Sequence, residues 1–109
     1  MTKSELNTLL GALNIECKEG ETVEGATFPR IAYWEYDWSF SNASGSAYAS
    51  IVTYQISFFA LTPRHPKLIE LLQALSAYGP LPSIKHEAVT SPTRMVHSYF
   101  AIEVLEDIL

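Results

Sequence analysis

The chain has 109 residues, 12 acidic and 7 basic, with 48% hydrophobic and 17% charged side chains, the composition of one globular domain and not of a disordered tail. A net charge of −5 leaves no cationic footprint for phosphate backbones or anionic lipid, so neither nucleic acid nor a membrane is an expected partner. Typical domains carry about 25% charged residues, so this one has few charges for its surface, and part of that surface is expected to meet another protein.

Met1-Thr2-Lys3-Ser4-Glu5 opens no apolar signal region, no stretch approaches the ~20 apolar residues of a membrane span, and Cys17 has no second cysteine to pair with. A cytoplasmic setting is expected. Thr2 and Glu5 stand at capping-box spacing, and Leu6, Leu9, Leu10 and Leu13 follow at helical intervals, so a first amphipathic helix ends near Asn14. From Glu16 to Glu24 the chain is acidic and flanked by Gly20 and Gly25, a solvated connector with a short strand at Ile15 to Cys17 before it.

Phe28 to Trp38 is dense in aromatic and β-branched residues and forms the first main strand, with Pro29 confined to its start. Ser39 to Ser50, rich in serine with Asn42 and Gly45, has the composition of a long, mobile hairpin loop. A second strand runs from about Tyr48 to Leu61, where Val52, Tyr54, Ile56, Phe58 and Ala60 alternate with polar residues. Pro66 suits the first position of a helix striped by Leu68, Leu71, Leu72, Leu75 and Tyr78, which Gly79-Pro80 ends.

The remainder reads as a terminal hairpin around Thr90-Ser91-Pro92-Thr93. Ile84, Ala88, Val96, Phe100, Ile102 and Val104 share a face if facing residues sum to 184, which sets Glu87 opposite His97 on a solvated face. The predicted fold is α+β, a single domain over 1–109 in the order α-β-β-α-β-β. It has a four-stranded, largely antiparallel sheet with two helices packed on one face.

No residue pattern in this order carries catalysis. His65, His86 and His97 lack the spacing of a metal site, no G-x-S-x-G elbow or glycine-rich phosphate loop occurs, and Cys17 lies in an acidic stretch that disfavours a thiolate. Glu35 and Asp37, two apart on one strand face, are a pair suited to acid-base work, but a solvated strand end explains them as well. No enzyme, metal or cofactor is expected.

The informative feature is aromatic. Trp34, Tyr36 and Trp38 are expected on one face of the first main strand, with Ile31 and Tyr33 on the other, so burying either face leaves apolar surface over. With Phe40 and Tyr48 in the loop, these residues are the candidate protein interface, since tyrosine and tryptophan concentrate binding energy.

The succession of a leading helix, Phe28-Pro29-Arg30-Ile31-Ala32-Tyr33, a hairpin into Tyr54-Gln55-Ile56-Ser57-Phe58-Phe59, a helix from Leu68 to Leu75 and a closing strand through His97-Ser98-Tyr99-Phe100-Ala101-Ile102-Glu103-Val104 resembles the tail terminator, or tail completion, proteins of long-tailed bacteriophages and prophages. The resemblance implies a non-enzymatic ring, commonly a hexamer, that caps the tail tube and meets the head connector protein. It further implies a location first in the bacterial cytoplasm and then in the virion neck. The alternative is a small intracellular ligand-binding or accessory interaction domain.

Overall fold

The computed structural model describes residues 1–20, 27–43, 46–91 and 94–108, with the backbone alone at 42–43 and 46–48. Two helices, α1 (Lys3–Ala12) and α2 (Pro66–Leu75), accompany five strands: β1 (Glu16–Glu19), β2 (Arg30–Ala43), β3 (Ser46–Ala60), β4 (Lys85–Val89) and β5 (Met95–Leu105). A 3₁₀ turn at Ser76–Tyr78 extends α2.

Both helix starts follow local chemistry. Thr2 and Glu5 close a full capping box, and His65 caps α2 by accepting the Lys67 N–H at Nδ1 over 3.1 Å, with Pro66 just inside. The leucine stripes of both helices lie on one face of the sheet. Leu6, Leu10, Leu13, Leu68, Leu71 and Leu75 pack there against Ile31, Tyr33, Val52, Tyr54, Ile56, Phe58, Phe100 and Val104.

The sheet order is β1-β2-β3-β5-β4, so the expectation of four antiparallel strands is corrected to a five-stranded mixed sheet. The added strand overlaps the short strand expected at Ile15 to Cys17 and runs on into the stretch read as a solvated connector: Glu16–Glu19 runs parallel to Arg30–Tyr33. Hydrogen bonding to β2 orders this polar segment, and side-chain burial alone would not. Glu21 to Glu24, the end of that connector, lies outside the described residues. The terminal hairpin has the expected register, with Glu87 opposite His97 and Ala88 opposite Val96.

A second correction concerns the loop at 39–50. β2 continues to Ala43 and β3 starts at Ser46, so most of that serine-rich stretch is ladder, with Ser39 opposite Ile51 and Phe40 opposite Ser50. Only Ser44 and Gly45 lie between the strands, and they fall outside the described residues. β5 accompanies β3 only as far as Ile51, so the ribbon beyond it projects as two strands. The molecule measures 51 × 27 × 22 Å with a radius of gyration of 15.1 Å, against about 13 Å for a compact domain of this length.

β2 and β3 do not keep one register. Arg30 to Glu35 pair with Phe59 to Tyr54, then the register shifts so that Asp37 faces Thr53 and Trp38 faces Val52. One extra residue is absorbed there as a β-bulge, which locally strengthens twist and exchanges the faces of the residues beyond it.

Candidate interface on the aromatic ribbon

The bulge divides the residues that sequence alternation placed together. Trp34 faces Gln55, whereas Trp38 faces Val52, so the two indoles lie on opposite faces of the sheet. Glu35 and Asp37 are divided likewise, one opposite Tyr54 and the other opposite Thr53, and the pair suited to acid-base work is not assembled. Trp38 instead donates from Nε1 to Glu35 Oε2 at 3.2 Å.

Burial separates the aromatics further. Trp34 is half-buried and packs with Phe28 and Val89 around Ala32, Phe59 and Met95 on the sheet face away from the helices. Tyr36, Trp38 and Phe40 are 68%, 54% and 42% exposed. The Tyr48 side chain lies outside the described residues. The structure thus leaves Tyr36, Trp38 and Phe40 exposed along β2, with Phe40 on the projecting ribbon itself, and assigns Trp34 to packing.

The face opposite the helices is also more structured than a solvated face. The His97 ring stacks on Phe59 at 4.8 Å and 12°, packs against Tyr99 at 4.8 Å, and shares a hydrogen bond with the fully buried Ser57 at 2.8 Å. Arg30, 3% exposed, places its guanidinium 4.4 Å from the Phe59 ring centroid. The expectation of a solvated face around His97 is therefore corrected: Glu87 is exposed, but His97 is half-buried. Alternation could not show this, because Phe59 breaks the polar series of β3 on that side.

Desolvation holds the His97 imidazole below its ordinary value of 6.5, against the opposing field of Glu87. The unfolded chain therefore binds a proton that the folded chain resists, so folding stability should fall as pH drops through about 6.5 and level off below the depressed folded value. Thermal unfolding between about pH 5 and 7 should show this slope, and His97→Gln should flatten it. Glu5 acts in a lower window, since hydrogen bonding from the Thr2 backbone N–H holds its carboxyl below 4.5.

At the base of the ribbon, polar groups are closed on one another. Lys3 Nζ bonds Glu19 at 3.1 Å and the Tyr54 hydroxyl at 2.9 Å, and that hydroxyl reaches Glu106 at 2.8 Å. Burial and the Glu106 contact outweigh Lys3 and push Tyr54 up to about 12. Ser50 Oγ bonds the Glu106 carbonyl. These partners are mutually satisfied, which identifies a structural clamp and not a site awaiting a substrate.

Cys17 is half-buried beside the Leu10 carbonyl, and burial together with Glu16 pushes its thiol up, away from a reactive thiolate. Among the described residues no three His, Cys, Asp or Glu side chains are grouped to hold a metal, and no helix is long and apolar enough to cross a membrane. A groove of about 370 Å³ runs along Tyr36, Gln55, Pro82, Lys85 and Tyr99. A cavity of about 550 Å³ lies at the far end of β4 beside Leu61, Val89, Arg94 and Met95. No protein-family model matches the chain, and comparison with curated proteins gives no match.

Proposed function

We propose that this protein is a non-enzymatic assembly component that caps the tail tube of a long-tailed phage or prophage and joins it to the head connector as part of a ring. The observation that carries the reading is the outer part of β2 leading into the projecting two-stranded ribbon, along which Tyr36, Trp38 and Phe40 remain exposed after the sheet has buried its core. Exposed aromatics held on a rigid ladder suit protein docking: large contact area is presented with little ordering cost on binding. The helix and strand order supports the reading through the resemblance to tail terminators. Assembly in the bacterial cytoplasm, followed by residence in the virion neck, belongs to the same proposal.

The test adds the purified protein to polymerising tail-tube subunits of the same phage and measures tube length and end occupancy. End binding with shortened, uniform tubes is the expected outcome. Unchanged length and bare ends would overturn the reading. The groove along Tyr36 and Lys85 favours a second reading, a small binding domain, because its volume falls within the range of ligand sites, about 300–1,000 Å³. Binding of a small ligand there, with bare tube ends, would select that alternative.

A further inference from the structure

Two surfaces at opposite edges of the sheet complement each other. β1 pairs with β2 only over Arg30–Tyr33, so among the described residues the outer edge of β2 from Trp34 onward has no strand partner. β4 is the last strand at the other side, and among the described residues its outer edge is open as well. Open edges offer backbone donors and acceptors that an added strand satisfies.

The edges differ in charge. Between Trp34 and Ala43 the chain holds Glu35 and Asp37 and no basic residue. Lys85 opens β4, Glu87 lies within it, and Arg94 follows it. Among the described residues Asp37, Lys85 and Arg94, all exposed, make no ion pair. They differ in shape too: β2 carries the exposed Trp38, and beside Arg94 lies the cavity of about 550 Å³ whose lining includes Ala88, Val89, Met95 and Val96.

Pairing two β2 edges with each other would set carboxylates against carboxylates, which destabilises cross-strand neighbours. A β2–β4 pairing with Asp37 opposite Val89 brings that carboxylate beside Arg94 and leaves Glu87 opposite Ser39. The directions also fit. Within one subunit β4 runs antiparallel to β2, through β5 and β3, so a copy that continues the sheet presents its β2 antiparallel to this β4.

We infer that a second copy of this chain occupies the β4 edge: β2 of one copy adds antiparallel to β4 of the next, Trp38 packs on the helix side of the sheet against Ala88 and Val96, and Asp37 comes beside Arg94. The contact joins unlike patches, so repetition gives a closed ring or an open filament and not a two-fold dimer. This inference rests on the reading of the protein as a ring-forming assembly component.

The test is a charge exchange followed by sedimentation velocity, alone and with tail tubes. Wild type should form oligomers that weaken with salt. Asp37→Arg and Arg94→Asp, both at exposed positions and checked for folding by circular dichroism, should each weaken association about tenfold or more. The double variant should recover it. An equal mixture of the two single variants should also assemble, with alternating copies, because each supplies the edge that the other lacks.

Absence of self-association in wild type under both conditions, or single variants that assemble as wild type does, would overturn the inference. Tube-end binding insensitive to both reversals would reject this interface and leave the terminator reading standing. Charge-exchanged assembly without tube binding would support the interface and overturn the terminator reading.

Discussion

Replacing Trp38 with alanine should weaken association by about 2 kcal/mol or more, roughly 30-fold in Kd, while leaving the melting temperature of the isolated subunit unchanged. The side chain is 54% exposed and its one hydrogen bond is to the exposed Glu35, so the subunit loses little packing when it is removed. Trp34→Ala should behave in the opposite way. That indole packs with Phe28 and Val89 around Phe59 and Met95, and its removal should lower the melting temperature first. Association measured by sedimentation and stability measured by thermal unfolding separate the two residues. Equal effects of both substitutions on both quantities would refute the assignment of Trp38 to docking and Trp34 to packing.

Leu71→Ala should cost about 2–5 kcal/mol of folding stability. Leu71 is 1% exposed, and with Leu68 and Leu75 it forms the buried stripe of α2. A domain of this size has only about 5–15 kcal/mol in total, so this substitution removes a large share of it. Urea denaturation should show a lower midpoint with an unchanged slope, as expected when stability changes without a change in the surface exposed. Ile69→Ala on the same helix is the control: Ile69 is 43% exposed, and its loss should change stability far less.

The helices were legible because their signals are local. Thr2 and Glu5 specify a cap by themselves, and leucines at helical spacing specify the buried side. The terminal hairpin was legible because one face is consistently apolar, so a slipped register would expose Phe100 and Val104. β1 was legible only at its start, as the short strand at Ile15 to Cys17: Glu16-Cys17-Lys18-Glu19 has neither alternation nor β-branched residues, and its ladder with Arg30–Tyr33 carries the strand on to Glu19. The serines and alanines after Trp38 misled in the same way, since antiparallel pairing with β3 overrides a composition that elsewhere means a turn.

The candidate interface was legible as a set of aromatics and not as a surface. Tyr36, Trp38 and Phe40 are exposed as the aromatic excess implied, whereas alternation alone put Trp34 and Trp38 on one face. The shift between Glu35 and Asp37 leaves no mark in residue type, because bulges accept ordinary side chains.

That shift makes length changes in β2 unequal in their consequences. Excision of Tyr36 would close the irregularity and leave Asp37 opposite Thr53, Trp38 opposite Val52 and Phe40 opposite Ser50, as they now stand. Excision of Ser39 would draw Phe40 into the place opposite Ile51 and turn its ring to the reverse side. Related chains can therefore gain or lose a residue at the Tyr36 position without re-aiming the ribbon, whereas a gap a few residues later redirects it. A comparison of such chains would have to place its gap at Tyr36 before equating their aromatic positions.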